Sequence, residues 1–268
     1  MLQIPSLEFH VMHACNLSCQ QCSHYSNLRL GGGVISTKDA ESNYALWSHR
    51  IQPKLFALLG GEPTLNPNLI DHVLLARKHW SKSKFMLVSN GFFLSKHPDL
   101  PKVLVETNCC LEISQHGKDE KYLEEFIKGT EVLKEWSSNY PSLKIRTRQS
   151  HQGWMRQYNV SDSGKPIPYN SKAEEAYSVC MQKTCTQVYQ QKLWKCPAIA
   201  YFELLDKKMS LDKEWDLFRH YTALNSNCSD EALNDFFNTK AIPQCSLCPF
   251  NRESFQHPDP TISNQKLF

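Results

Sequence analysis

The chain has 268 residues, 41% of them hydrophobic, enough for one large domain or one domain with a small appendage. Thirty basic against 27 acidic side chains leave a net charge of +3 with no block of like charge, so composition gives no case for nucleic acid, and no apolar run is long enough to span a bilayer. The first six residues lack the basic region and apolar run of a secretion signal, so the eleven cysteines read as metal ligands and free thiols of a cytoplasmic protein rather than as disulfides.

In chain order, Leu7 to His13 reads as a first strand leading into a loop with Cys15, Cys19 and Cys22. Leu28 to Val34, with three glycines, is a flexible connection, and Ser36 with Asp39 three residues later marks a helix start. Lys54 to Leu59 is a second strand, ending at Gly60, Gly61, Glu62 and Pro63. Asn66 and Pro67 then predict an N-cap and first turn for a helix to about Trp80. Phe85 to Ser89 is a third strand that ends at Asn90-Gly91, and Cys110 to Gln115 a fourth. Leu123, Phe126, Ile127, Thr130, Leu133 and Trp136 form the stripe of a helix, followed by a fifth strand from Leu143 to Arg148.

Strands alternating with helices imply an α/β fold: a partial (β/α) barrel of five or six parallel strands over residues 1–150. Ligands of such folds sit at the C-terminal strand ends, where Cys15 to Cys22, Gly60 to Pro63, Ser89 to Gly91, Ser114 to His116 and Arg148 all fall. Residues 151–179 have no clear period and read as a linking loop passing over the barrel mouth, with Trp154, Arg156 and Tyr158 as candidate substrate contacts. A hairpin follows, Thr186 to Tyr189 and Leu193 to Cys196 about a turn at Gln190-Gln191, then helices near Lys213 to Leu224 and Ser229 to Asn238.

Three cysteines spaced Cys15-x3-Cys19-x2-Cys22 suit three corners of a 4Fe-4S cubane and leave one iron open for a substrate or cofactor. A zinc knuckle completed by His13 or His24 is the competing assignment. The two glycines before Glu62 let the backbone pass close to a ligand, and Glu62 is an acceptor for an ammonium group; the same four residues equally serve an ordinary strand-to-helix turn. A second set, Cys180, Cys196, Cys245 and Cys248, has zinc-like spacing, with Cys185 a rival for Cys180 because it falls opposite Cys196 in the hairpin. Cys109 and Cys110 begin a strand and read as core, and Cys228 as a loop residue.

Together these motifs resemble the radical S-adenosylmethionine (SAM) superfamily. The resemblance implies that Cys15, Cys19 and Cys22 hold the cluster that cleaves SAM and that Gly60, Gly61, Glu62 and Pro63 hold its methionine ammonium. Ser89 and Asn90 would meet the ribose, and Ser114, Gln115 and Arg148 the ribose, the carboxylate or the substrate. Gln21 stands where the family usually carries an aromatic residue near the adenine, which makes His24 or Tyr25 the candidate replacement.

The C-terminal cysteines resemble the auxiliary-cluster region called SPASM or, in its short form, twitch. Gln191 stands at the turn-glycine position five residues before Cys196, and no cysteine follows Cys248, which favours the twitch form. That implies a twitch-like hairpin-helix domain over residues 180–256, a tail over 257–268, and a second 4Fe-4S cluster on Cys180, Cys196, Cys245 and Cys248. The layout is similar to that of the family's aminocyclitol dehydrogenases. It implies oxidation of a small polar substrate, with SAM as cofactor and a flavodoxin or ferredoxin as electron donor, and with neither nucleic acid nor membrane as partner. A peptide-modifying maturase and a non-catalytic two-cluster electron carrier are the alternatives.

Overall fold

The structure, a computed structural model, describes residues 1–28 and 33–263. The connection expected from Leu28 to Val34 therefore lies partly outside the described residues, as does the end of the 257–268 tail. Five strands, β1 (Leu2–Met12), β2 (Ile51–Gly60), β3 (Lys84–Ser89), β4 (Cys109–Gln115) and β5 (Ile145–Gln149), lie in sequence order and pair in parallel. Helices α1 (Thr37–Trp47), α2 (Leu69–His79), α3 (Leu100–Glu106) and α4 (Glu120–Asn139) form the connections, as parallel pairing requires. This is an α/β fold with a largely parallel central sheet, consistent with a partial (β/α) barrel.

Local chemistry explains most boundaries. Ser36 accepts the Asp39 main-chain N–H at 3.0 Å and its hydroxyl donates to the Asp39 carboxylate at 2.7 Å, a reciprocal cap for α1 worth about 1 kcal/mol. Asn66 does not cap α2, contrary to the sequence expectation. Its amide donates to the Val11 carbonyl at 2.7 Å, tying the loop after β2 to β1, and the helix begins after Asn68. The α4 stripe is also rotated from expectation: Tyr122, Phe126, Gly129, Leu133 and Trp136 are buried, while Ile127 is half exposed. Gly129 sets that rotation, since a Cβ there would stand 2.3 Å from the Gly91 carbonyl oxygen. The absent side chain lets the helix lie directly on the loop after β3. Aromatic rings bind helices to sheet: Phe56 stacks on Trp80 with centroids 4.6 Å apart, and Tyr44 meets Phe9 edge-on at 4.8 Å.

After β5 the expected unstructured loop has its own elements, a two-residue ladder of β6 (Asn159–Val160) with β7 (Pro166–Ile167) and helix α5 (Ala173–Val179). The hairpin β8 (Gln187–Tyr189) and β9 (Lys192–Trp194) joins the main sheet instead of standing apart. β8 pairs in parallel with β1 through Glu8 and Gln187, and β10 (Leu224–Asn225) closes that edge antiparallel to β9. Its turn falls at Gln190 and Gln191, with φ of 51° and 63°. The left-handed conformation of Gln191 is held by Asn43, which accepts its N–H at 2.8 Å, and by Trp47, whose indole donates to its carbonyl at 3.2 Å.

Short helices α6 (Pro197–Ala200), α7 (Phe202–Met209) and α8 (Asp216–Arg219) and the longer α9 (Asp230–Asn238) complete the chain. A second core of Tyr25, Tyr201, Phe202, Trp215 and Phe218 lies among them, where the sequence suggested one helix from Lys213 to Leu224. The tail crosses back over the cysteine loop. Ser263 N–H donates to the Asn16 carbonyl at 2.8 Å, Thr261 N–H to the Ser18 hydroxyl at 2.9 Å, and Asp259 accepts the Lys118 and Asp119 N–H groups ahead of α4. No described helix is long and apolar enough to cross a membrane.

Candidate functional site

The cysteine loop leaves β1 at Met12 and is shaped by left-handed residues at Gln21 and Tyr25, with φ of 57° and 55°. Gln21 does not line up as a substitute for an adenine-stacking ring. Its side-chain carbonyl accepts the Gln157 and Tyr158 N–H groups at 2.7 and 3.1 Å, and its amide donates to the Tyr158 carbonyl at 3.0 Å. It therefore staples the segment after β5 to the cysteine loop. Tyr25 is buried in the C-terminal core with its hydroxyl donating to the Ala198 carbonyl, so of the two suggested replacements only His24 faces the cavity.

Gly60 and Gly61 are needed for a protein–protein approach. A Cβ on either would stand 2.1 Å from a carbonyl oxygen, of Met12 and Ala14 respectively. The Gly61 N–H donates to Met12 at 2.7 Å and the Glu62 N–H to Ala14 at 2.9 Å, so this turn locks the base of the cysteine loop. Glu62 is buried and its carboxylate accepts protein donors. Thr64 donates its N–H and hydroxyl at 3.0 and 2.5 Å, Ser89 its hydroxyl at 2.6 Å, and Asn90 its N–H at 2.7 Å. Burial raises the Glu62 pKa against these four donors. The Asn90 amide continues the chain of contacts, donating to Asn16 Oδ1 at 2.7 Å.

A cavity of about 420 Å³ opens at the C-terminal strand ends. Cys15, Cys19, Cys22, Gly60, Gly61, Glu62, Ser89, Asn90, Ser114 and Arg148 all line it. Gln115 and Pro63 do not. The Gln115 amide turns away to the Gly117 carbonyl at 3.0 Å, and Pro63 is buried in the turn that follows Glu62. Of the three suggested lid contacts only Trp154 lines the cavity, its indole donating to the Gln20 carbonyl at 2.5 Å. Arg156 instead faces Glu253 at 3.8 Å and the Phe255 ring, and Tyr158 packs in the C-terminal core. Sequence reasoning missed Glu8, Glu112, Gln157 and Cys185 on the cavity wall. Glu8 and Glu112 carried a usable signal, since each is the one acid of its strand.

Burial drives the thiol pKa values of Cys15 and Cys19 upward; Glu62 and Cys22 add to it at Cys15, and Cys15 and Cys22 at Cys19. Cys22 is lowered despite burial because His24 stands beside it, and His24 in turn is raised to about 9 by Cys22 and Glu8 against its own burial. Buried thiols crowded in this way become thiolates when a metal supplies the positive charge. Among the described residues no three His, Cys, Asp or Glu side chains are placed to hold a single ion. An iron–sulfur cubane asks each thiolate for a different iron and fits three thiols spread along one wall.

A second, smaller cavity of about 100 Å³ is lined by Cys180, Cys196, Cys245 and Cys248. Burial, with Cys180 and Cys245 adding to it, pushes the Cys196 thiol up to about 12. Cys185 is absent from this wall and lines the larger cavity beside Glu8. Cys109 is buried in β4, as expected of a core residue, and the Cys228 sulfur accepts from Arg50 at 3.3 Å.

The site thus combines a parallel sheet, a three-cysteine loop after its first strand and a Gly-Gly-Glu-Pro turn after its second. Residues 9–137 match the model of the Radical SAM superfamily. No curated protein matches the chain. Among solved structures it is similar to anSMEcpe with bound AdoMet, at 22% identity and a TM-score of 0.41 over 53% of this chain and 42% of that one. It is also similar to BtrN in complex with AdoMet and 2-DOIA, at 16% identity and a TM-score of 0.45 over 81% and 85%. SuiB of Streptococcus suis bound to S-adenosylmethionine follows at 13% identity and a TM-score of 0.37 over 88% and 64%. The chain thus spans less than half the length of anSMEcpe.

Proposed function

We propose that the protein is a radical SAM oxidoreductase acting on a small polar substrate of the sugar or aminocyclitol kind. The observation that carries this reading is that Cys15, Cys19 and Cys22 share one cavity wall with Gly60, Gly61, Glu62, Ser89 and Asn90. Three thiolates would hold a 4Fe-4S cluster with one iron open to the SAM amine and carboxylate. With one electron from a flavodoxin- or ferredoxin-type donor, a cluster and SAM held there would supply a 5′-deoxyadenosyl radical able to take a hydrogen atom from substrate carbon.

The protein's residues hold and enclose. Three of the four donors to Glu62 go to Oε1 and one to Oε2, so Glu62 keeps that loop in register with Ser89 and Asn90 while Oε2 and the Gly60–Gly61 main chain would remain for the SAM ammonium. Arg148 offers a cation to a carboxylate. Trp154, held by the Gln20 carbonyl, and Gln157, held by Gln21, cover the cavity and would limit water around a reactive species. Oxidation of an alcohol to a ketone removes two electrons and two protons. One hydrogen would leave as an atom and the hydroxyl proton would go to solvent; Cys180, Cys196, Cys245 and Cys248 would hold an auxiliary 4Fe-4S cluster, which would supply an acceptor for the second electron.

Anaerobic reconstitution tests the reading. The wild type should bind about eight irons and, once reduced, release 5′-deoxyadenosine from SAM. Replacing Cys15, Cys19 and Cys22 by alanine should leave about four irons and no cleavage. A triple variant that still cleaves SAM would falsify the assignment, and a wild type that holds iron without cleaving SAM would be an electron carrier.

A further inference from the structure

The two cysteine cavities differ in charge. Glu8, Glu62 and Glu112 line the larger one against Arg148, with His24 beside Cys22. The smaller one is lined by Arg156, Lys183, Lys195, Lys240 and Arg252, and by no described acid. Hydrogen bonding to sulfur does not separate the two. Both have main-chain donors aimed at a thiol, Leu17 N–H at Cys15 (3.4 Å) and Gln182 N–H at Cys180 (3.3 Å) among them.

Of these cations, one is placed to act. Lys183, Lys240 and Arg252 are exposed, where solvent and salt screen them. Arg156 faces Glu253 at 3.8 Å. Lys195 is half-buried and held: its ammonium donates to the Phe236 carbonyl and, at 2.5 Å, to the Thr239 carbonyl, both at the end of α9. The Cys245 and Cys196 thiols are the charges that bear on it. Burial raises the Cys245 thiol pKa and the Ile242 contact lowers it; Lys195 lowers it further, by more than Glu174 of α5 raises it.

We infer that Lys195 sets the reduction potential of the auxiliary site above that of the Cys15, Cys19 and Cys22 site. This rests on the proposed function, in which both cysteine sets hold clusters. An added electron makes a cluster one charge more negative, and a fixed ammonium on the cavity wall stabilises that state. At the larger cavity Glu62 acts on Cys15 in the opposite sense. An electron left on the substrate then runs downhill to the second site instead of back to the first.

Redox titration of the anaerobically reconstituted protein, followed by electron paramagnetic resonance, tests this. The variant with Cys15, Cys19 and Cys22 replaced by alanine supplies the spectrum of the second cluster alone. In the wild type the second cluster should have the higher midpoint. Lys195→Met should make its reduction about tenfold less favourable, about 59 mV for a one-electron couple, and leave the first midpoint unmoved. Lys195→Arg should restore the wild-type value. Lys240→Met, which removes an exposed cation from the same wall, should shift the equilibrium less than about twofold. A residue that only caps α9 would lower the melting temperature and move neither midpoint. Should Lys195→Met fail to hold the second cluster, Lys195→Gln keeps a donor for the carbonyls without the charge and carries the same expectation. An unmoved second midpoint in those variants, an equal shift in Lys240→Met, or a wild-type second midpoint below the first overturns the inference. Protein that holds both clusters yet shows any of these refutes only the role of Lys195; protein that holds no second cluster, or does not cleave SAM, refutes the proposed function itself.

Discussion

Glu62 accepts the Ser89 hydroxyl at 2.6 Å and so joins the loop after β2 to the loop after β3. The same carboxylate takes the fixed N–H groups of Thr64 and Asn90, which cannot rotate away. Glu62→Gln preserves volume but turns an NH2 toward one of these donors. The expected cost is about 2 kcal/mol, a fall in melting temperature of roughly 4–8 °C. Calorimetry of the apoprotein checks it. An unchanged melting temperature would mean that the carboxylate is not tying the loops together.

The turn that carries Glu62 tolerates no side chain at its second glycine. Gly61→Ala places a Cβ 2.1 Å from the Ala14 main-chain oxygen, directly before Cys15. Backbone must move, so the cysteine loop should lose its iron while the C-terminal set keeps about four. Gly153→Ala, with nothing within 4 Å of its Cβ, is the control and should bind iron like the wild type. Equal iron in both variants would contradict the close approach.

Cys180 and Cys185 are separated by which wall they line. Cys180→Ser should therefore lose the auxiliary iron, read as about four irons in place of eight, whereas Cys185→Ser should retain all of it. The reverse pattern would assign Cys185 to the cluster and remove it from the substrate cavity.

What was legible in the sequence is what local chemistry decides. The Ser36 cap, the Gln190-Gln191 turn and the order of strands each depend on a few neighbouring residues. Where a side chain is claimed from a distance, the local signal misleads. Asn66 looks like a helix cap but is taken by the Val11 carbonyl, and Arg156 looks like a substrate contact but is taken by Glu253 and Phe255. The rotation of α4 follows from Gly129 meeting Gly91, a long-range contact that periodicity does not encode. The crossing of the tail over Asn16 and Ser18 depends on partners more than two hundred residues away.

That tail gives a prediction of its own. Ending the chain after Gln256 removes Asp259 from the α4 N-terminus and Thr261 to Ser263 from the cysteine loop. The truncated protein should reconstitute but lose its first cluster to air several-fold faster, followed as bleaching of the iron–sulfur absorbance. The loss should be confined to the first cluster, because the cysteines of the second line a different cavity. Bleaching at the wild-type rate would show that the tail does not shield the loop.

The C-terminal unit should show an acid sensitivity that traces to one ion pair. Arg219 grips both carboxylate oxygens of Asp206 at 2.7 Å, and its hydrogen bonds hold the Asp206 pKa below its usual value against a burial that raises it. A carboxyl depressed on folding stabilises the fold above its unfolded pKa, and that contribution fades as pH falls through the folded value. Both groups are about a quarter exposed, so solvent screening limits the pair to about 1 kcal/mol. Urea unfolding of wild type and Asp206→Asn should then differ by about that amount at pH 7 and converge as the pH falls below the ordinary aspartate range and through the folded value. A difference that persists undiminished at low pH would mean that Asp206 acts through its Leu211 N–H contact, which an asparagine oxygen can also make, or through packing, rather than through charge.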